Sequence, residues 1–354
     1  MNEQKEQPRY LVHVSCKTFN HALYIEDAMN GFTMQETDFP FVCTIIDDAS
    51  TDGEQNVIQK YIERHFDLND KSTVRNEESD DFILAFAQHK TNKNCYFAVL
   101  YLKYNHYSIK KPKNPYIEEW MNVKYIALCE GDDYWTHPQK LQKQVAFLES
   151  HPDYGLVYTD FDWYDSDHNM IIHSMFKSGK AKIINSFEEH LLNKAFIAPM
   201  SWVYRKDLLK CLDLRHSTDG SFILALEIFL HSKVYYLNVN TCVHYVHSGS
   251  VAHQTDYKKI FEYDKGVHNI QTYYASKYKV EDSNNQLDWF YQKYAKYLIA
   301  RNEKEEFKNI ITCLNNKKEK SKKEFLLSYL LKNRITTYFL HIWLKYNYIK
   351  KGQL

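Results

Sequence analysis

The sequence predicts an α/β fold with a mainly parallel sheet flanked by helices, followed by a C-terminal helical appendage. Two observations lead to this prediction. Along the first part of the chain, short apolar runs of strand length alternate with segments whose apolar residues recur at helical spacing, as in βαβ units. From about residue 256 the chain instead carries long helical patterns rich in Tyr, Lys and Asn, without a strand signal. The predicted domains are therefore residues 1–255 and 256–354.

The predicted strands are short apolar runs that stop at polar residues or at the beginning of a helical pattern. In chain order they are Tyr10–Ser15, Phe41–Ile46, Cys95–Leu102, Lys124–Cys129 and Gly155–Thr159.

The predicted helices occupy the segments between these strands, at about residues 21–31, 54–65, 114–122 and 138–150. The second helix is the best supported, because four apolar residues fall on one of its faces. These residues are Val57, Ile58, Tyr61 and Ile62.

Length, composition and charge exclude several classes of protein. The length of 354 residues suits two domains, or one large domain with an appendage. A composition that is 44% hydrophobic and 25% charged excludes collagen-like, low-complexity and largely disordered chains. The formal net charge of zero argues against a nucleic-acid binder that relies on bulk charge. The charge is uneven, however, because residues 304–354 contain twelve Lys and Arg against four Asp and Glu.

The cysteines and the N-terminal residues predict a cytoplasmic protein. The seven cysteines are scattered and never have CxxC spacing, which indicates a reducing compartment without a zinc site or a disulfide framework. The first ten residues, MNEQKEQPRY, lack the apolar segment of a secretory signal. No apolar stretch reaches the roughly 18 residues that a membrane-spanning helix needs.

Acidic residues follow two of the predicted strands directly. The pair Asp47–Asp48 ends the second strand, and Glu130–Asp133 follows the fourth. Because ligands of open α/β sheets bind beyond the carboxyl ends of the strands, we expect these carboxylates to face one crevice. Carboxylate oxygens of this kind suit Mg²⁺ or Mn²⁺ together with a substrate phosphate. The alternative is helix capping, which the sequence favours for Asp52.

Two motifs resemble the inverting family 2 glycosyltransferases of the bacterial polysaccharide-biosynthesis type, which have a GT-A fold. They are DDASTDG at Asp47–Gly53 and EGDDYW at Glu130–Trp135, and similar flanking segments extend the resemblance over about residues 8–255. The resemblance implies a nucleotide-binding half at about residues 1–125 and a metal and acceptor half at residues 126–255. It also implies inverting transfer of a sugar from a nucleotide-sugar donor, expected to be a UDP-sugar, to a glycan or lipid-linked acceptor.

The resemblance also assigns roles to individual residues. The acid that contacts the nucleotide base corresponds to Asp48, with Phe19 and Lys17 lining the same pocket. The last Asp of the metal motif, here Asp133, would coordinate Mg²⁺ or Mn²⁺ at the donor diphosphate, and Asp132 would lie against the ribose or the metal-bound waters. Such a cation neutralises the charge that develops on the leaving diphosphate.

One segment departs from the family pattern. Many relatives carry a Gly-x-x-x-Ala-Arg-Asn run between the third and fourth strands. Here Asn105 and Asn114 keep the spacing, but Lys113 stands where the Arg would be. A lysine can meet a diphosphate as a point charge, without the bidentate fork of an arginine. The alternative for Lys113 is simple solvation.

The catalytic base and a further metal ligand are also taken from the resemblance. An inverting transfer needs a carboxylate within reach of the attacking hydroxyl, and relatives place it shortly before the strand that begins here near Lys233. Asp219 is the first candidate and Glu227 the second, although Asp219 also suits a helix N-cap. His247 in the segment HSGSVAH is a candidate to complete the metal shell, or else a structural histidine.

Two features leave both a functional and a structural interpretation open. Trp135 and Trp202 are candidate platforms for sugar rings, or core residues. The apolar run Ile335–Leu344 is a candidate for peripheral contact with the inner face of a membrane, or for packing on its own domain. The basic residues that flank this run are Lys332, Arg334, Lys345, Lys350 and Lys351.

Two other functions compete with sugar transfer. A nucleotidyltransferase would also use a metal and a nucleotide, but it would be expected to carry a Gly-rich loop after the first strand, and residues 17–21 contain no glycine. A non-catalytic module that binds a nucleotide sugar or a glycan is the second alternative, because the catalytic base is the least secure of the assignments.

Overall fold

A computed structural model describes residues 9–193, 196–211, 219–247, 256–303, 306–316 and 322–354. Within these ranges the strands form one sheet. In chain order they are β1 (Val12–Thr18), β2 (Phe41–Asp47), β3 (Arg75–Glu78), β4 (Phe82–Gln88), β5 (Cys95–Leu102), β6 (Tyr125–Leu128), β7 (Tyr134–Trp135), β8 (Tyr154–Asp165), β9 (Met170–Ile172), β10 (Val203–Arg205) and β11 (Lys233–Val246).

The centre of this sheet is parallel. The strand order is β3-β4-β5-β2-β1-β6-β10-β8-β11-β7, and β9 pairs with β8. The pairs β5–β2, β2–β1, β1–β6 and β8–β11 are parallel, whereas the short strand β10 runs antiparallel to both of its neighbours. Every residue of β2 is buried, as expected for a central strand that is covered on both faces. The carboxyl ends of β1, β2 and β6 therefore lie at the same edge.

Helices fill the connections and the C-terminal part of the chain. The first three helices follow strands at the sheet, and the last five lie beyond residue 256. In chain order they are α1 (Ile25–Thr33), α2 (Glu54–His65), α3 (Lys140–Ser150), α4 (Phe187–Asn193), α5 (Gly220–His231), α6 (Tyr257–Tyr278), α7 (Trp289–Arg301), α8 (Glu306–Asn316), α9 (Lys322–Leu330) and α10 (Arg334–Lys350). No described helix has both the length and the apolar character that crossing a membrane requires.

The chain forms two compact units, each with its own core. The first contains the whole sheet with helices α1 to α3. The second contains helices α6 to α10, together with residues 188–193 and 219–223 from earlier in the chain. Its core is mainly aliphatic and includes the buried aromatic residues Phe261, Phe290, Tyr294 and Tyr297. The predicted boundary between residues 255 and 256 adjoins residues 248–255, outside the described ranges, and stays a prediction.

The α/β class, the sheet flanked by helices and the helical C-terminal region are confirmed. β5 and α2 have the predicted bounds. The hairpin of β3 and β4 was not predicted. The residues of β3 are RNEE, polar and mostly exposed, so this edge strand lacks the alternating apolar residues that mark a strand. β4 (FILAFAQ) does contain an apolar run of strand length, which the prediction overlooked. The helix predicted at 114–122 is a 3-10 helix, Asn114–Met121.

The buried His13 makes the stability of the sheet sensitive to acid. Its Nε2 lies 2.8 Å from Thr44 Oγ1 across β1 and β2, and burial lowers its pKa from 6.5 to about 3. Between these two values the unfolded chain binds a proton that the folded chain does not, so stability falls as the pH drops below 6.5. At pH 5 the titration of this histidine alone should lower the free energy of unfolding by about 2 kcal/mol relative to pH 7.

Replacing His13 by Gln, which cannot titrate but can still pair with Thr44, should remove most of that acid sensitivity. Urea unfolding at pH 7 and at pH 5 measures the difference. His168→Gln provides a control at an exposed histidine whose pKa is raised by its hydrogen bond to Asp165. Equal loss of stability in the wild type and in His13→Gln would show that His13 does not stay neutral in the fold.

Candidate active site

The two acidic motifs lie on either side of β1 at one edge of the sheet. β1 pairs in parallel with β2 on one side and with β6 on the other. Beyond the strands the backbone continues this arrangement, because the N–H of Asp48 donates to the carbonyl of Thr18 and the N–H of Gly131 donates to the carbonyl of Lys17 (3.0 and 3.1 Å). The carboxyl end of β1 is therefore held between DDASTDG and EGDDYW, at the edge where the crevice is predicted.

Asp48 is almost fully enclosed and anchors the loop after β5. Its Oδ1 accepts a hydrogen bond from the backbone N–H of His106 at 2.7 Å, and its Oδ2 accepts one from the N–H of Tyr107 at 3.1 Å. The side-chain amide of Asn105 donates to the Asp48 carbonyl at 3.0 Å. The carboxylate thus fixes the backbone of this loop, in addition to any contact with a ligand.

Lys113 forms an ion pair with Asp48. The family resemblance suggested both residues for the donor pocket, and Lys113 Nζ lies 2.6 Å from Asp48 Oδ2. The exposed fractions of their side chains are only 16% and 4%, so this pair is shielded from water. Lys113 is consequently not the freely solvated lysine of the alternative interpretation. The structure places its positive charge at the edge of the sheet where the acidic motifs lie.

Asp133 is held by β11. Its Oδ1 accepts a hydrogen bond from the backbone N–H of Tyr245 at 3.0 Å and lies 2.9 Å from His244 Nδ1. Burial by itself would lower the pKa of His244. The negative charge of Asp133 and its hydrogen bond to His244 have the larger, opposite effect, so the pKa of His244 is raised overall. A protonated His244 would donate to Asp133 and offset part of the negative charge of the motif.

Asp132 lies against two imidazole rings. Its Oδ2 is 3.8 Å from His21 Nε2 and 3.5 Å from His247 Nε2. One potential ligand atom from each of the three residues lies within 4.8 Å of the other two. The ring of Tyr24 stacks on His247, with 4.6 Å between the centroids, and so helps to fix it. Two imidazoles and a carboxylate form a donor set that suits a divalent first-row transition metal.

A buried carboxylate orients His21. The Thr18 hydroxyl donates to Glu54 Oε1, and His21 Nδ1 lies 3.1 Å from the same hydroxyl oxygen. With the hydroxyl proton directed to Glu54, the tautomer of the neutral imidazole that fits these contacts has its N–H on Nδ1, donating to Thr18 Oγ1, and its lone pair on Nε2. Nε2 is the atom that faces Asp132. Metal-ligating histidines are commonly held in this way by a hydrogen bond at the other ring nitrogen.

The charges around Asp132 favour a bound cation. Glu130 is exposed to solvent, yet the protein atoms that surround it and the charges of Asp132 and Asp133 raise its pKa to about 7. Burial and the neighbouring Asp133 likewise raise the pKa of Asp132, while the two histidines oppose that shift. A raised carboxylate pKa means that the ionised form is unfavourable without a counterion. A divalent cation here would relieve this repulsion.

The remaining predicted residues lie in different surroundings. Phe19 is 42% exposed in the segment after β1, as a residue that contacts a ligand would be. Asp219 accepts hydrogen bonds from Phe222 N (2.9 Å) and Ser221 Oγ (2.8 Å), which is the N-cap contact of α5, and the Tyr263 hydroxyl donates to its other oxygen. Its role as a base stays a prediction.

Glu227 and the two tryptophans are buried. Glu227 is 3% exposed on α5, and its Oε2 lies 3.5 Å from His231 Nε2. Trp135 and Trp202 are each 1% exposed, so the structure supports the core interpretation rather than the sugar platform. The indole N–H of Trp135 donates to the Met200 carbonyl at 2.9 Å.

Several residues of this site were not predicted from the sequence. Glu54 directly follows DDASTDG, Thr18 and His21 lie close to Phe19 in the chain, and His244 lies three residues before His247. None of them belongs to a recurrent spacing, so periodicity gave no reason to select them. Polar residues at the carboxyl ends of three predicted parallel strands were the available signal.

Gly131 is required for the close approach of the metal motif to β1. A Cβ at this position would clash with Thr18 Oγ1 and lie 2.6 Å from Thr18 Cβ and 3.0 Å from His21 Nδ1. Gly131→Ala should therefore displace Thr18 and His21, destabilise the fold by about 1–3 kcal/mol and weaken Mn²⁺ binding. Urea unfolding and calorimetric titration with Mn²⁺ measure the two effects.

Gly220→Ala is the matched control for this substitution, because a Cβ on Gly220 meets open space. It should bind Mn²⁺ like the wild type. Unchanged stability and Mn²⁺ binding in Gly131→Ala would contradict the tight packing between the motif and Thr18.

Sequence comparisons found curated relatives over a part of the chain. No family model matches the sequence. Uncharacterised proteins of Mycobacterium tuberculosis and Mycobacterium bovis are 33% identical over 136 residues, which is 38% of this chain. The match spans about a third, 31%, of the length of these curated relatives.

Among solved structures, the chain is similar to S. aureus TarS (residues 1–349, in complex with UDP-GlcNAc), with a TM-score of 0.50 and 15% identity. That similarity covers 97% of this chain and 92% of TarS 1–349. A mannosyltransferase of Pyrobaculum calidifontis, in complex with GDP-Man and Mn²⁺, has a TM-score of 0.46 and 12% identity, covering 96% and 88% of the two chains. The similarity to TarS 1–349 extends over nearly the whole α/β fold described above.

Proposed function

We propose that this protein transfers a sugar from a nucleotide-sugar donor, expected to be a UDP-sugar, to a glycan or lipid-linked acceptor. The observation that carries the proposal is the convergence of both acidic motifs on β1, with Asp132, His21 and His247 on one side and the Asp48–Lys113 pair on the other. A crevice with a cation site and a shielded lysine suits a diphosphate. The complex of TarS with UDP-GlcNAc supports the choice of donor.

The donor would be held by the segment after β1 and the loop after β5. Phe19 offers an exposed aromatic face for the base, and Lys17 is exposed beside it. Asp48 keeps the loop after β5 in place through the N–H groups of His106 and Tyr107, and so keeps Lys113 at the site. In this proposal Lys113 meets the diphosphate while it remains tied to Asp48.

The donor set of the site fits a divalent cation. His21, Asp132 and His247 would hold Mn²⁺, or Mg²⁺ less well because imidazole suits transition metals better. Asp133, which the family resemblance makes a ligand, would join them or hold the motif through its hydrogen bonds to β11. A cation there supplies neutralisation of the charge on the departing nucleoside diphosphate.

The transfer itself is proposed to proceed with inversion. A carboxylate deprotonates the acceptor hydroxyl, which attacks the anomeric carbon from the side opposite the leaving diphosphate, so that a single displacement inverts the configuration. Asp219 is the proposed base, and Glu227 is the second candidate.

The contacts of Asp219 favour one alternative function, a binding module without catalytic activity. Both of its oxygens accept hydrogen bonds from protein donors, as in a helix cap with no other role. If Asp219 acts only as a cap and Glu227 cannot replace it, the protein would be a nucleotide-sugar-binding module without turnover.

Release of UDP from a panel of UDP-sugars, with Mn²⁺, Mg²⁺ or EDTA and without an acceptor, tests the proposal. Slow transfer of the sugar to water should release UDP from one donor, in a metal-dependent manner. Asp219→Asn should lower this release while leaving UDP binding unchanged. Binding of a UDP-sugar without release, in the wild type and with candidate acceptors present, would instead support the binding module. No binding of any UDP-, GDP- or dTDP-sugar would contradict both functions.

A further inference from the structure

Helix α10 uses only one of its faces for packing. Leu344 is 4% exposed and belongs to the core of the second unit, where Leu340 and Tyr348 also pack. His341 Nδ1 lies 2.9 Å from the carbonyl oxygen of Ile299 on α7. These residues are spaced by three or four positions, so they define the buried face of the helix.

The opposite face of α10 is a continuous apolar stripe exposed to solvent. Its residues recur at intervals of three and four, as neighbours on one side of a helix do. Their exposed fractions lie between 46% and 68%. They form the α10 stripe, which consists of Ile335, Tyr338, Phe339, Ile342, Trp343, Tyr346 and Ile349. Single exposed apolar residues are ordinary, but a contiguous patch of this kind marks an interaction surface.

The charged side chains along the chain around the stripe are all basic. Residues 325–354 contain five Lys and Arg residues and no Asp or Glu. Two of the basic residues are at the beginning of α10 and three are near its end, and all five are exposed. They are Lys332, Arg334, Lys345, Lys350 and Lys351.

We propose that the α10 stripe docks on an anionic lipid surface. Tyr and Trp side chains favour the boundary between headgroups and acyl chains, and Lys and Arg beside them are attracted to anionic headgroups. A second copy of the chain is the competing occupant. Two stripes placed face to face would bring together two sets of five positive charges, so the charge favours lipid over self-association. This proposal does not depend on the proposed sugar transfer.

Co-sedimentation of the full chain with vesicles tests the inference. The protein should bind vesicles of phosphatidylcholine with 30% phosphatidylglycerol, and binding should fall at least about tenfold on pure phosphatidylcholine or in high salt. The double variant Phe339→Ser/Trp343→Ser should lose binding by a similar factor. Met170→Ser/Ile171→Ser, at exposed apolar residues of β9, is the matched control and should bind like the wild type.

The stripe residues are exposed, so these substitutions should leave the melting temperature unchanged, and a thermal melt of each variant verifies this. A second variant pair, Lys345→Glu/Lys350→Glu, tests the charge without touching the stripe and should also reduce binding. Equal binding to neutral and anionic vesicles, or no binding, would overturn the proposal. So would a dimer in sedimentation velocity that Phe339→Ser/Trp343→Ser converts to a monomer, because the stripe would then be a protein interface.

Discussion

Replacing Asp132 by Asn is expected to weaken Mn²⁺ binding by at least about tenfold and to lower metal-dependent UDP release by about 100-fold or more. The substitution keeps the size of the side chain but removes the negative charge that faces His21 and His247. Two neutral imidazoles alone are a poor site for a divalent cation that must also meet a diphosphate. Calorimetric titration with Mn²⁺ measures the first effect, and the donor panel measures the second.

Asp153→Asn is the control for Asp132→Asn. Asp153 precedes β8 and pairs with Lys233 at the beginning of β11, away from the carboxyl ends that form the site. The Asp153→Asn substitution should leave both Mn²⁺ binding and UDP release unchanged. Wild-type Mn²⁺ affinity in Asp132→Asn, together with loss of affinity in Asp133→Asn, would place the cation on Asp133, as the family resemblance implies.

Replacing Asp48 by Ala is expected to destabilise the protein by about 3–5 kcal/mol, which is more than the loss of a ligand contact would cause. The substitution leaves the shielded ammonium of Lys113 without its counterion and the N–H groups of His106 and Tyr107 without an acceptor. Buried donors that lose their acceptors bear the cost of desolvation without compensation. Urea unfolding of the variant measures this loss.

A second variant separates the two roles of Asp48. Asp48→Ala/Lys113→Met also removes the unpaired charge and should recover part of the stability, yet it should bind UDP more weakly than the wild type because both donor-pocket groups are gone. Wild-type stability in Asp48→Ala, with only UDP affinity reduced, would show that Asp48 is a ligand contact rather than the anchor of the loop.

The sequence was sufficient for the fold class because the relevant signals are local. An apolar run such as Cys95–Leu102 and the one-sided helix at residues 54–65 can be recognised within a window of about ten residues. The two acidic motifs could be located for the same reason, since each follows a strand directly. The family resemblance then named Asp48, Asp132 and Asp133, all of which lie at the predicted edge of the sheet.

The partners of these carboxylates were decided by the tertiary structure. The pairing of Asp132 with His21 and His247, and of Asp48 with Lys113, depends on β1 lying between β2 and β6 and on the position of β11. The same holds for Glu54, which reaches His21 through Thr18. Strand order and the close packing of loops are set by contacts between residues far apart in the chain. The spacing of residues along the sequence indicates which strands and helices form, but it does not indicate which of their ends lie next to one another.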